Sequence, residues 1–114
     1  MLAGPVVHGD GIGKKFGCPT ANLSLRRTQV PLHSGVYAAT AVLNRNTHKA
    51  ALVIQDKPWK IEVHFLDYDG PDFYGQHLSI EPVQKVSEIE AYDSEDELKE
   101  KIQADLQLVR DFLQ

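Results

Sequence analysis

The chain has 114 residues, 42% of them hydrophobic and 25% charged, with a formal net charge of −4. One packed domain suits that length, because two cores would leave each half in the range where independent folding is marginal. The acidic balance argues against a general nucleic-acid surface, which rests on many Lys and Arg contacts to phosphates, and no apolar run approaches the ~20 residues of a membrane-spanning helix.

The first ten residues include Pro5, His8 and Asp10 and do not read as a secretory signal, which opens with a basic stretch and an apolar block. A single cysteine, Cys18, cannot form an intrachain disulfide, so a reducing cytoplasm is the natural setting. Between Glu88 and Glu100 acidic residues crowd together, leaving the N-terminal two-thirds closer to neutral, a weak pointer to a small anionic ligand there.

From Val6 to about Val86 strands alternate with turns. Gly9-Asp10-Gly11-Ile12-Gly13-Lys14-Lys15-Phe16-Gly17 packs four glycines and two lysines into nine residues. Glycines let backbone amides approach an anion and lysines supply charge, so this is either a phosphate cradle or a flexible hairpin loop. It is not a Walker A loop, since Gly9 and Gly13 stand one residue too close and Lys15 follows Lys14 where Ser or Thr belongs. In Pro19-Thr20-Ala21-Asn22, Thr20 and Asn22 share a face if the stretch is extended. They offer two oxygens to a Mg²⁺ that also takes phosphate and water, or they cap the turn leaving the loop.

Gly35 to Asn44 alternates Val36, Ala38, Thr40 and Val42 with Tyr37, Ala39, Ala41 and Leu43, which predicts a strand buried on both faces. Asn44-Arg45-Asn46-Thr47 predicts a turn, and His48 to Gln55 the returning strand. In Lys60 to Leu66, Ile61, Val63 and Phe65 point one way and Glu62, His64 and Leu66 the other. Glu62 and His64 can then be an acid/base site, a metal pair or two polar residues on a solvated face, although His8, His33, His48 and His77 are too scattered to complete a metal site. Asp69-Gly70-Pro71-Asp72 breaks the chain, and a strand follows through Leu78, Ile80 and Val83, where Pro82 predicts an edge or a bulge.

The period then changes. Ser94-Glu95-Asp96-Glu97 is a capping box, and Leu98, Ile102, Leu106, Val109 and Leu113 form one apolar stripe, with Glu95–Lys99 and Glu97–Lys101 as i, i+4 pairs on the outside. Five or six strands and one amphipathic helix predict a closed antiparallel barrel, with the helix covering an opening or a sheet face. The barrel is expected over about residues 4–90 and the helix over about 94–113, in one domain spanning 1–114.

In combination these segments resemble the riboflavin kinase family. The resemblance runs through GPVVHG from Gly4, GKKFGCPTANL from Gly13, Pro31, GVYA from Gly35, IEVHFLDY from Ile61 and Asp72-Phe73-Tyr74-Gly75. It implies a six-stranded antiparallel Greek-key barrel with a C-terminal helix. It also implies transfer of the ATP γ-phosphate to the 5′-hydroxyl of riboflavin, yielding FMN and ADP. Carried over by position, the general base falls on Glu62, and the Mg²⁺ and nucleotide ligands on Thr20 and Asn22. Further nucleotide contacts fall on Gly9, Lys14, Phe65, Asp67 and Tyr74, and flavin contacts on Ser87, Glu90 and Tyr92. At two of these the chain departs from the family, with Ser87 where an arginine is usual and Glu90 where a lysine is usual.

The expected partners are therefore riboflavin, FMN, ATP and ADP, with no nucleic acid, membrane or obligate protein partner. A non-catalytic flavin or nucleotide sensor on the same barrel is the alternative, with an RNA-binding barrel behind it. Many bacterial relatives carry an FMN adenylyltransferase domain ahead of the kinase module, and the resemblance here covers the kinase module alone.

Overall fold

A computed structural model describes residues 1–7, 19–66, 68, 75–90 and 93–114. The glycine-lysine loop with Gly9, Lys14 and Cys18 lies outside the described residues, as do Asp67, Tyr74 and Tyr92. The strands are β1 (Leu2–Val7), β2 (Thr20–Leu23), β3 (Gly35–Leu43), β4 (Asn46–Asp56), β5 (Trp59–Phe65) and β6 (His77–Ser87), followed by helix α1 (Glu95–Phe112).

Pairing is antiparallel throughout, and the strands close into a barrel in the order β1-β2-β5-β4-β3-β6. The closure meets the expectation, and because it gives each described strand two neighbours it leaves no open edge among the described residues. Asn44 and Arg45 form the β3–β4 turn with φ of 50° and 68°, the left-handed pair that a two-residue hairpin turn requires. Strand β4 therefore begins at Asn46, two residues ahead of the expected His48. Pro82 sits at a bulge: pairing with β3 passes from Gln84 opposite Ala38 to Pro82 opposite Ala39, and Val83 between them is exposed.

Alternation decides which side chains fill the barrel. Tyr37, Ala39, Ala41 and Leu43 of β3 meet Leu52 and Ile54 of β4, Ile61, Val63 and Phe65 of β5, and Leu78 and Ile80 of β6 inside it. The opposite face of β3 and β4, with Val36, Ala38 and Ala51, is covered by Leu106 and Val109 of α1, flanked by Ile102 and Leu113. This second layer explains the double burial of β3, and it settles the helix on a sheet face. The Ser94 hydroxyl caps α1 by accepting the Glu97 amide at 3.1 Å, and Arg110 ties the last turn to the Leu66 carbonyl at 3.2 Å.

The β2–β3 connection is clamped against the barrel by Trp59, whose indole N–H donates to the Leu25 carbonyl at 2.6 Å. Arg27 stacks over that indole at 5.2 Å and pairs with Asp56 at 3.1 Å. Among the described residues no helix is long and apolar enough to cross a membrane.

Candidate active site

Register places the chemistry. Residues opposite one another in an antiparallel pair project to the same face with Cβ atoms ~5 Å apart, so a chain of partners forms a rung across the sheet. One rung runs Asn22–Glu62–Val53–Val36–Ser87 across β2, β5, β4, β3 and β6. The next runs Thr20–His64–Ala51–Ala38. Both lie on the outer face, since the residues between them fill the barrel. Each rung is polar on β2 and β5 and apolar on β4 and β3.

The polar end is well shielded. Thr20, Asn22 and His64 are buried, and the Glu62 side chain is only 12% exposed. The Thr20 hydroxyl lies 3.0 Å from His64 Nδ1, and Lys60 Nζ approaches Glu62 Oε1 at 3.7 Å. Burial of so many polar groups on an outer sheet face is unusual for a solvated surface and marks this corner as a functional candidate.

Toward β4 and β3 the face opens into a cleft of about 160 Å³ beneath α1. Val36, Ala51 and Val53 form its floor, Gln55, Lys60, Glu62 and His64 one wall, and Leu98, Lys101, Ile102, Asp105 and Leu106 the helical wall. Glu88, Ile89 and Glu90 close it from the segment after β6. An apolar floor with a few convergent polar groups is the usual make-up of a small-molecule site.

The structure thus brings together Thr20, Asn22 and Glu62, and sets Glu90 on the same cleft. Ser87 ends the rung that begins at Asn22, and its hydroxyl accepts from the Lys101 ammonium. The Phe65 ring is fully buried in the barrel, edge-on to His48 at 5.6 Å, because it alternates in phase with Ile61 and Val63.

Lys101 also differs. Expected outside with Glu97, it turns into the cleft and pairs with Asp105 one turn on. Neither Lys101 nor Asp105 was singled out from the sequence as a site residue. The available signal was their position, since 101 and 105 fall between the stripe residues Leu98, Ile102 and Leu106, where a charged residue faces inward.

Thr20 and Asn22 fit a hard divalent cation. Their side chains stand on one face, each with an oxygen, and the Glu62 carboxylate lies directly across from Asn22. The 3.0 Å contact with His64 Nδ1 holds the Thr20 hydroxyl in a fixed position at this corner.

Known proteins resemble this chain along nearly its whole length. The sequence model of the flavokinase family, described as riboflavin kinase, matches residues 1–113. The bifunctional riboflavin kinase/FMN adenylyltransferase of Escherichia coli (strain K12) is 36% identical over 97% of this chain, and the chain spans 37% of that relative's length. A crystal structure of riboflavin kinase from Trypanosoma brucei superposes with a TM-score of 0.70 at 28% identity, covering 98% of this chain and 78% of that one. A structure described as a macrolide-efflux protein from Streptococcus pneumoniae superposes with a TM-score of 0.81 at 27% identity, covering 95% of this chain and 37% of that one. With its family model matched along nearly its whole length, on a barrel whose outer rungs align Asn22 with Glu62 and Thr20 with His64, the chain belongs to the riboflavin kinase family.

Proposed function

We propose that the chain is a cytoplasmic enzyme that transfers the γ-phosphate of ATP to the 5′-hydroxyl of riboflavin, giving FMN and ADP. The observation that carries this reading is the single rung that sets a shielded carboxylate, Glu62, between an oxygen-bearing corner at Asn22 and an apolar floor at Val53 and Val36.

The flavin ring lies over that floor, and its ribityl chain reaches Glu62. The Glu62 carboxylate accepts the 5′-hydroxyl proton while the hydroxyl oxygen forms its bond to the γ-phosphorus. The bond from that phosphorus to the bridging oxygen breaks, and the electron pair leaves with ADP. A positioned general base of this kind contributes ~10²–10⁴-fold. Its low exposure keeps bulk water from competing for the carboxylate, and Lys60 Nζ lies 3.7 Å from its Oε1.

Thr20 and Asn22 would hold a divalent cation, Mg²⁺ by the chemistry of the donors, which when bound neutralises phosphate charge. His64 orients Thr20 from behind. The glycine-lysine loop with Gly9 and Lys14, together with Phe65, Asp67 and Tyr74, is assigned to the nucleotide, and Ser87, Glu90 and Tyr92 to the flavin, by resemblance.

The test is formation of FMN from riboflavin and MgATP, followed by chromatography. Stoichiometric FMN and ADP are expected. Tight flavin or nucleotide binding with no turnover would select a sensor instead.

A further inference from the structure

We propose that Lys101 binds the flavin ring, supplying from the helix the cation that fixes the ring's carbonyl edge. This rests on the riboflavin reading above and adds to it a specificity-determining residue that lies outside the assigned set.

Lys101 is held in place. Its side chain is 15% exposed and that of Asp105 11%, and the ammonium bonds both the Asp105 carboxylate and the Ser87 hydroxyl. An ammonium carries three N–H donors, and these two partners occupy two of them. Lys101 lines the cleft, so a third donor is available to a ligand acceptor there.

Position along the rung identifies which part of the ligand arrives. Glu62 and Ser87 stand three strands apart on one rung, with Val53 and Val36 between them. Strand spacing is ~4.8 Å, so the path along the sheet is about 14 Å. That span fits a sugar-alcohol chain followed by a fused ring, with the reactive hydroxyl at Glu62, the apolar ring body over Val53 and Val36, and the polar ring edge at Lys101. The acceptors on that edge are the two carbonyl oxygens of the pyrimidine dione, which flank an N–H donor. Lys60, the other lysine of the cleft, is close to Glu62 at the opposite wall, so the two cations serve different ends of the ligand.

The arrangement also accounts for Ser87. A serine cannot carry charge to the cleft, but here it receives a lysine from α1, and the cation enters from the helix instead of from β6.

The test is equilibrium binding of riboflavin, read by fluorescence quenching, to the parent chain, to Lys101→Met and to Lys101→Met/Asp105→Asn, with thermal melts of all three. Lys101→Met should weaken riboflavin binding about tenfold or more, the range for a hydrogen bond to a charged group. The double variant removes both charges, so it should melt near the parent yet bind riboflavin as weakly as the single variant, with MgATP affinity unchanged in both. A double variant that regains the parent's affinity would mean that Lys101 only neutralises Asp105, and would overturn the proposal.

A second arm needs no variant to fold. A flavin whose ring-edge carbonyl oxygens are replaced by sulfur, a weaker acceptor, should bind the parent less tightly than riboflavin does. Equal affinity for the two flavins overturns the assignment of Lys101 while leaving the riboflavin reading intact. A parent chain that does not bind riboflavin at all overturns both, and is told apart by that first measurement.

Discussion

Thr20 and His64 face each other across β2 and β5, the hydroxyl 3.0 Å from Nδ1, with both side chains buried. With the imidazole proton on Nε2, Nδ1 takes the hydroxyl proton and fixes the direction of the Thr20 lone pairs. His64 is then a positioning residue that acts through Thr20. His64→Leu is expected to raise the Mg²⁺ concentration for half-maximal rate several-fold while riboflavin affinity, read by fluorescence quenching, stays at the parent value. An unchanged Mg²⁺ dependence would reduce the contact to packing.

Glu62→Gln keeps the shape of the side chain and removes its basicity. We expect kcat to fall at least ~100-fold, the low end for a general base, with nucleotide binding and melting temperature retained. Single-turnover rates with excess enzyme would isolate the chemical step. A near-normal rate would take Glu62 out of the mechanism.

Thr20→Ala and Asn22→Ala each remove an oxygen from the corner facing Glu62. Each should raise the Mg²⁺ and ATP concentrations needed for activity, because a hard cation loses a ligand. Melting curves of the variants without ligand are the control. Lower stability with unaltered metal dependence would assign both residues to the pairing of β2 with β5 rather than to the cation.

Gly35 opens β3 with φ of 152°, and a Cβ there would lie 3.1 Å from the Ser87 carbonyl and against the Lys85 side chain. Backbone conformation and close approach both disfavour a side chain. Gly35→Ala is expected to cost ~1–2 kcal/mol. For a domain of this size that lowers the melting temperature by roughly 4–8 °C per kcal/mol. Riboflavin binding should also weaken, since Ser87 must shift and Ser87 helps to hold Lys101. A variant that melts with the parent would show that the β3–β6 end has slack.

Much of this architecture was legible in the chain. The alternation in Gly35 to Asn44 marked a strand buried on both faces, and the structure supplies the reason: barrel on one side, helix on the other. The stripe from Leu98 to Leu113 and the Ser94 cap were readable because both depend on spacing within a few residues. So was the sharing of one face by Glu62 and His64. Register between distant strands was not readable, since nothing local states that Asn22 lies opposite Glu62 or that Val36 lies opposite Ser87. The inward turn of the Phe65 ring was readable too, from its alternation with Ile61 and Val63. Lys101 was misread because the i, i+4 rule, which favours an acid ahead of the lysine, outweighed its place beside the stripe residues, and the packing of α1 on β3 turns it to Asp105.

The strand order carries a consequence for the time at which the protein becomes competent. The hairpin pairs β3–β4 and β4–β5 join neighbours in sequence, whereas β2–β5 brings together residues such as Thr20 and His64, 44 positions apart. Loop closure over such separations is slow compared with forming hairpins, so β2–β5 pairing is expected late. The corner built from Thr20, Asn22, Glu62 and His64 does not exist in any partly assembled sheet that lacks this pairing. On the proposed reading a cation gains its site at that corner only when β2 docks on β5, so a rise of Mg²⁺ affinity during refolding would mark that docking, ahead of the longer closure that brings Leu2 of β1 to Ile80 of β6.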